Sequence, residues 1–134
     1  MRKFEILEHK ADLKIRAFGK TKEELFLNIL KGMMESMKPE GLEAGEKRKI
    51  EIKSLDLKSL LVDFLSEALY LSQVNKEVYF EAKFKKFTDS ELEGELIGQK
   101  VESFGEDIKA VTYHSLDIHQ EKDGTWQATV LFDI

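Results

Sequence analysis

Apolar residues recur along the chain at two periods, and each change of period marks a new element. Leu13, Ile15 and Ala17 alternate with Lys14 and Arg16, the two-residue repeat of a strand with one buried face. Residues 3–7 read as a shorter strand before it, so the chain opens with a hairpin or bulged pair. At Thr21 the period changes. Thr21-Lys22-Glu23-Glu24 has capping-box spacing, and Leu25, Ile29, Met33 and Met37 then recur every four residues, with Phe26 and Leu30 widening the stripe. This predicts an amphipathic helix ending near Met37, ahead of Pro39 and Gly41. Residues 38–46 read as a loop and 48–53 as a strand that turns Ile50 and Ile52 inward. Asp56 caps a second helix, from residue 57 to about 74. Its apolar set, Leu57, Leu60, Leu61, Phe64, Leu65, Ala68, Leu69 and Leu71, is broad enough for deep packing on a sheet.

Beyond residue 76 only strand patterns occur. Val78, Phe80, Ala82 and Phe84 alternate strictly, and residues 92–96 repeat the pattern beside Gly94 and Gly98, glycines that permit a bulge or a close backbone approach. Residues 110–119 set Ala110, Thr112, His114, Leu116 and Ile118 against Val111, Tyr113, Ser115 and Asp117. Asp123-Gly124 signals a tight turn into a last strand, 125–134. The order predicts an α+β fold, two amphipathic helices packed on a largely antiparallel, mixed β-sheet. The 134 residues are of single-domain length.

Charge and composition narrow the function. Lys plus Arg is 21 and Asp plus Glu 26, a net charge of −5, which argues against a dedicated nucleic-acid binder. Cysteine is absent, so disulfides, zinc–thiolate sites and cysteine nucleophiles are excluded, and a reducing compartment suits the chain. The opening Met1-Arg2-Lys3-Phe4-Glu5-Ile6 lacks the apolar region of a secretory signal, and no apolar run approaches the roughly 18 residues of a membrane span. A cytoplasmic protein without a membrane anchor is expected. No phosphate-binding glycine loop, nucleophile elbow or H-E-x-x-H motif is found.

Three places could carry chemistry. Glu8-His9-Lys10-Ala11-Asp12 packs four ionisable residues into a strand connector, where a solvated turn is the plain alternative. The terminal Val130-Leu131-Phe132-Asp133-Ile134 ends within an apolar strand. The α-carboxylate of Ile134 is therefore expected to be held beside Asp133, unless Asp133 simply faces water. Fixed carboxylates a few ångströms apart repel unless a cation separates them, and all-oxygen ligands favour Mg²⁺, Ca²⁺ or Mn²⁺. The third place is Lys109-Ala110-Val111-Thr112-Tyr113-His114, whose histidine sits on a strand face among apolar neighbours, as a hydrogen-bonded core histidine would. Asp63 and Glu67 read as a solvated helix face. Lys47-Arg48-Lys49 and Lys83, Lys85 and Lys86 read as surface basic groups.

Taken in order, Glu-His-x-Ala-Asp at 8–12, Lys-Ala-Val-Thr-Tyr-His at 109–114 and Trp-x-Ala-x-Val-Leu-Phe-Asp-Ile at 126–134 resemble the archease family, as does Leu-Leu-Val-Asp-Phe-Leu at 60–65. The resemblance spans essentially the whole chain. It implies an accessory protein of an RtcB-type tRNA-splicing RNA ligase, which joins a 3′-phosphate or cyclic phosphate end to a 5′-hydroxyl end through a guanylylated histidine and divalent metals. The implied role is to promote guanylylation and multiple turnover, without catalysis by the accessory protein and with nucleic acid met only through the ligase. It also implies one bound divalent cation, held by Asp12, Asp133 and the Ile134 carboxylate. Lys109, His9 and His114 are implied as ligase-activation residues. Lys10 stands where threonine is common in the family. Bringing three negative groups together is costly, and a hard divalent ion would offset the repulsion. The opening connector and the last strand are therefore expected to be neighbours. Two other readings are a general chaperone or scaffold for RNA-processing enzymes and a metal-dependent phosphohydrolase using Asp12, Asp133 and His114.

Overall fold

The computed structural model describes residues 2–8 and 12–134. In chain order the elements are β1 (Phe4–Glu8), β2 (Asp12–Gly19), α1 (Lys22–Ser36), β3 (Pro39–Glu40), β4 (Gly45–Lys53), α2 (Leu57–Asn75), β5 (Glu77–Phe87), β6 (Glu91–Lys100), β7 (Ser103–Phe104), β8 (Ala110–Gln120) and β9 (Trp126–Asp133). The fold is α+β, as expected, but its strands divide between sheets. One has the order β1-β2-β9-β8, a second β4-β6-β5, and β3 pairs with β7. Every pairing is antiparallel, so the expected mixed sheet is not found among the described residues.

Both helices start where the sequence places them. The Thr21 side chain accepts from the Glu24 N–H at 3.1 Å, and Asp56 accepts from the Ser59 N–H at 2.8 Å. α1 ends at Ser36, with Met37 as its C-cap. Lys76, in the left-handed region at φ 54°, ends α2 and turns the chain directly into β5. Each helix touches both larger sheets. α1 packs on β1, β2 and β9 and also on β5, while α2 packs on β8 and also on β4, β5 and β6. That placement explains the unusually wide apolar stripes. Phe26 of α1, Phe64 of α2 and Phe84 and Phe87 of β5 interlock, with ring centroids 4.9 to 5.8 Å apart.

β6 shows why its glycines are needed. β5 bulges twice against it, between Tyr79 and Glu81 and between Phe84 and Lys86. At both places the β5 backbone crowds the partner strand. A Cβ on Gly98 would lie 1.7 Å from the Val78 carbonyl oxygen, and one on Gly94 2.1 Å from that of Lys83. The obstacle is main chain and cannot swing aside. Gly98→Ala is expected to cost about 3 kcal/mol, the upper end of the overpacking range, as a lowered urea midpoint in chemical denaturation.

The same sheet accounts for the basic groups noted in the sequence. On its outer face Glu95 of β6 is flanked by Lys49 of β4 and Lys83 of β5, a cross-strand charge ladder with its own neutralisation. Arg48 points the other way. It forks onto the buried carboxylate of Glu77, with Nε to Oε1 at 2.8 Å and a terminal nitrogen to Oε2 at 2.6 Å. The Tyr79 hydroxyl donates to the same Glu77 Oε1 at 2.6 Å. Glu77 thus joins β4 to the start of β5 across the intervening strand.

Candidate functional site

Three strands of the four-stranded sheet bring their ends together at one edge of the molecule. β2 begins at Asp12, β9 ends at Asp133, and the two residues face each other directly in the antiparallel register. Ala110, at the start of β8, pairs with Asp133 from the other side, and the Lys109 N–H donates to the Asp133 carbonyl at 2.8 Å. The predicted neighbourhood of the opening connector and the last strand is therefore present. Register places Asp12, Lys14 and Arg16 on the outer face, because Leu13, Ile15 and Ala17 take the buried one.

The two aspartates differ in surroundings. Asp133 is exposed, and Ile134 after it is 44% exposed. Asp12 is half-buried. Its Oδ1 is shut off from solvent and has no hydrogen-bond partner among the described residues. A buried, unpaired carboxylate oxygen beside a second carboxylate is an unfavourable arrangement in a chain left to itself. It suits a ligand that supplies positive charge to oxygen donors. Among the described residues no group of three or more His, Asp or Glu side chains is gathered for a metal ion. His9 and Lys10 lie outside the described residues.

Lys109 is exposed at the head of β8. It is held in register by its own N–H and, one residue back, by the Gln73 side chain, which donates to the Ile108 carbonyl at 2.7 Å. Gln73 lies on the solvent side of α2 and carries no signal in the apolar pattern. The tie was therefore invisible in the sequence.

His114 departs from the expectation. β8 does not alternate evenly from residue 110 to 119. Its register with β9 jumps between Thr112, opposite Leu131, and Asp117, opposite Thr129, and the four residues between them loop out around Ser115 at φ 57°. His114 is exposed on this excursion and is not a buried core histidine. The outer face continues at Asp117, with Val111 and Ile118 both packed toward the core. The histidine that the structure ties down is His119. Its Nδ1 lies 2.5 Å from Asp117 and its Nε2 2.7 Å from Glu121. Hydrogen bonds to Glu121 and then Asp117 hold its pKa above the ordinary value. The Asp-x-His-x-Glu spacing, period two on a strand, was the available signal.

Asp63 and Glu67 form no joint site, and Asp63 accepts from the Ser54 hydroxyl at 2.6 Å. No helix among the described residues is long and apolar enough to cross a membrane.

Comparison with known proteins agrees with this layout. Residues 4–134 match the Archease protein family. Protein archease of Methanosarcina barkeri is 39% identical over 142 aligned positions, covering 99% of this chain and 97% of that one. Its counterpart in Thermococcus kodakarensis is 32% identical with full coverage of both chains. The solution structure of Methanobacterium thermoautotrophicum protein 1598 superposes with a TM-score of 0.75 at 34% identity over the whole of both chains. A crystal structure from Thermotoga maritima, described as an archease and possible chaperone, shares the fold at a TM-score of 0.69 and 22% identity, over 100% of this chain and 98% of that one. With a family match over residues 4–134 and full-length relatives above 30% identity, the chain belongs to the archease family.

Proposed function

We propose that this chain is a non-catalytic accessory protein of an RtcB-type RNA ligase in tRNA splicing, acting through the acidic tip to promote ligase guanylylation and repeated turnover. The observation that carries the reading is the facing pair Asp12 and Asp133, with one Asp12 oxygen buried and, among the described residues, without a hydrogen-bond partner. Asp12, Asp133 and the Ile134 carboxylate would hold one divalent cation, Ca²⁺, Mg²⁺ or Mn²⁺. Such an ion would offset the negative charge of the tip and would supply Lewis acidity toward phosphate oxygens. The chain's own residues do the rest. β2 and β9 set Asp12 and Asp133 opposite each other at the sheet edge, with β8 paired beside them, so the two side-chain carboxylates are presented together to a partner's active-site cleft. Lys109, fixed by the Asp133 and Gln73 contacts, presents a flexible positive charge to a phosphate or a ligase carboxylate. His9 and His114 are held as further contacts of that encounter.

An autonomous phosphohydrolase finds less support, because His114 stands on the outlooped part of β8 and no acidic pocket gathers around Asp12 among the described residues. A general scaffold leaves the pairing of Asp12 with Asp133 without a use. Ligation of a 3′-phosphate RNA to a 5′-hydroxyl RNA by a cognate RtcB-type ligase, with GTP and Mn²⁺ and ligase limiting, tests the proposal. The native chain is expected to convert single turnover into multiple turnover. The Asp12→Asn, Asp133→Asn variant is expected to lose at least 10-fold of that stimulation while melting cooperatively. Full stimulation by the variant would leave the tip without a role, and none by the native chain would end the accessory reading.

A further inference from the structure

α2 carries two large apolar side chains in solvent, Tyr70 and Val74, 59% and 61% exposed, and Tyr113 of β8 is 56% exposed. Tyr70 and Val74 are one helical turn apart and so share a face. Between α2 and the start of β8 opens a cleft of about 260 Å³, lined by Leu69, Tyr70, Gln73, Lys109, Ala110 and Val111. Its β8 wall is the segment that pairs with Asp133, so cleft and acidic tip are continuous through main-chain hydrogen bonds.

Size and charge indicate what covers this surface. A stable protein–protein interface takes about 800 Å² and 20–30 residues from each partner, far more than Asp12, Asp133 and Ile134 can present. Any protein that engages the tip must also cover its surroundings, and the cleft is the adjoining apolar ground. An exposed tyrosine, Tyr70, on the wall of a pocket that admits one side chain is the kind of residue that anchors an interface hot spot. Among the described residues Lys109 is the only charged one lining the cleft, and it forms no ion pair there. The complementary partner surface is therefore apolar with a carboxylate at its edge.

We propose that the α2–β8 cleft is the docking surface by which this chain holds the ligase. The ligase segment seated there carries one apolar anchor side chain for the cleft and an adjacent acidic residue for Lys109. The proposal rests on the accessory role above and divides its labour: the cleft supplies affinity and the tip supplies activation.

Titration of the full chain into the cognate ligase under turnover conditions separates the two, because affinity and maximal stimulation are read independently. Tyr70→Ala and Tyr70→Ala, Val74→Ala are expected to raise the half-maximal concentration at least 10-fold and to reach the native maximum at saturation. Asp12→Asn is expected to lower the maximum with little change in the half-maximal concentration. Leu55, 95% exposed and outside the cleft, provides the control, and Leu55→Ala should behave as native. A native titration curve for the Tyr70 variants, with the native chain still stimulating, removes the docking surface and keeps the accessory role. A lowered maximum at unchanged half-maximal concentration also overturns it, placing Tyr70 in activation. A native chain that neither binds nor stimulates the ligase ends both proposals together.

Discussion

Replacing Arg48 by methionine should lower the melting temperature by about 10 °C, a large effect for a side chain that reaches the surface. The loss comes from the partner left behind. Glu77 is fully buried and its carboxylate relies on the guanidinium fork, with Tyr79 the other donor to it. Removing one member of such a pair strands an ionised group in a low-dielectric interior. Arg48 is itself 35% exposed, so solvent screens part of the attraction and the effect falls below that of a wholly buried pair. The double change Arg48→Met, Glu77→Gln should recover most of the loss, because the glutamine oxygen still accepts from Tyr79 and no charge remains to be solvated.

The acid side provides an independent check. In the native chain the Arg48 fork holds the Glu77 pKa below the ordinary glutamate value. The stabilisation it provides is complete above the unfolded value, about 4.3, and fades as the pH falls through the folded one. Without Arg48, burial pushes the carboxyl the other way. The folded state then takes up its proton first, and the single variant's deficit should shrink on acidification. Thermal melts at pH 7 and near pH 4.5 decide the matter. A deficit that is equal at both would show that Arg48 acts by packing alone.

Divalent cations should stabilise the chain, and the effect should depend on the acidic tip. At 100 times its dissociation constant, a cation that binds only the folded state adds about 2.7 kcal/mol. For Ca²⁺ or Mn²⁺ this should appear as a rise of several degrees in melting temperature, reversed by a chelator. Asp133→Asn should abolish most of that rise. Without added cation the same substitution should leave the protein slightly more stable, because it removes a like charge from directly opposite Asp12. These opposite signs distinguish a ligand site from a structural one. A variant destabilised with and without cation would assign Asp133 to the fold and take it out of the metal site.

The helices were legible because two signals coincide in each, an N-cap acceptor at the right spacing and a four-residue apolar repeat. Thr21 and Asp56 both perform the predicted bond. The division into separate sheets was not legible. An alternating strand records that one face is buried, but not against what, and helices that touch both sheets look like helices on one. The two-residue ladder of Pro39–Glu40 with Ser103–Phe104 is too short for any period to register. At the site, the meeting of Asp12 with Asp133 followed from carboxylate arithmetic and the family motifs. His114 was misplaced because alternation was extended through a stretch whose register jumps, and a left-handed serine leaves no mark in polarity. The Arg48–Glu77 pair was hidden for the converse reason, since a charged residue within a charged run gives no hint that one member turns inward.

The outlooped stretch of β8 also decides where the strand can change length. Between Thr112 and Asp117 β8 advances five residues while β9 advances two, from Leu131 to Thr129. An odd difference exchanges the roles of even and odd positions, so Val111 and Ile118 both reach the core although a regular strand would put them on opposite sides. Each half of the strand is anchored by its own pairing with β9, Ala110–Thr112 against Leu131–Asp133 and Asp117–Gln120 against Trp126–Thr129, so facing is set by the ladder and not by the number of residues between the halves. The looped stretch is therefore the place where β8 tolerates a change of length. One residue inserted after Ser115 should cost far less stability than one inserted between Ile118 and His119, where it would shift a paired register and turn buried positions outward.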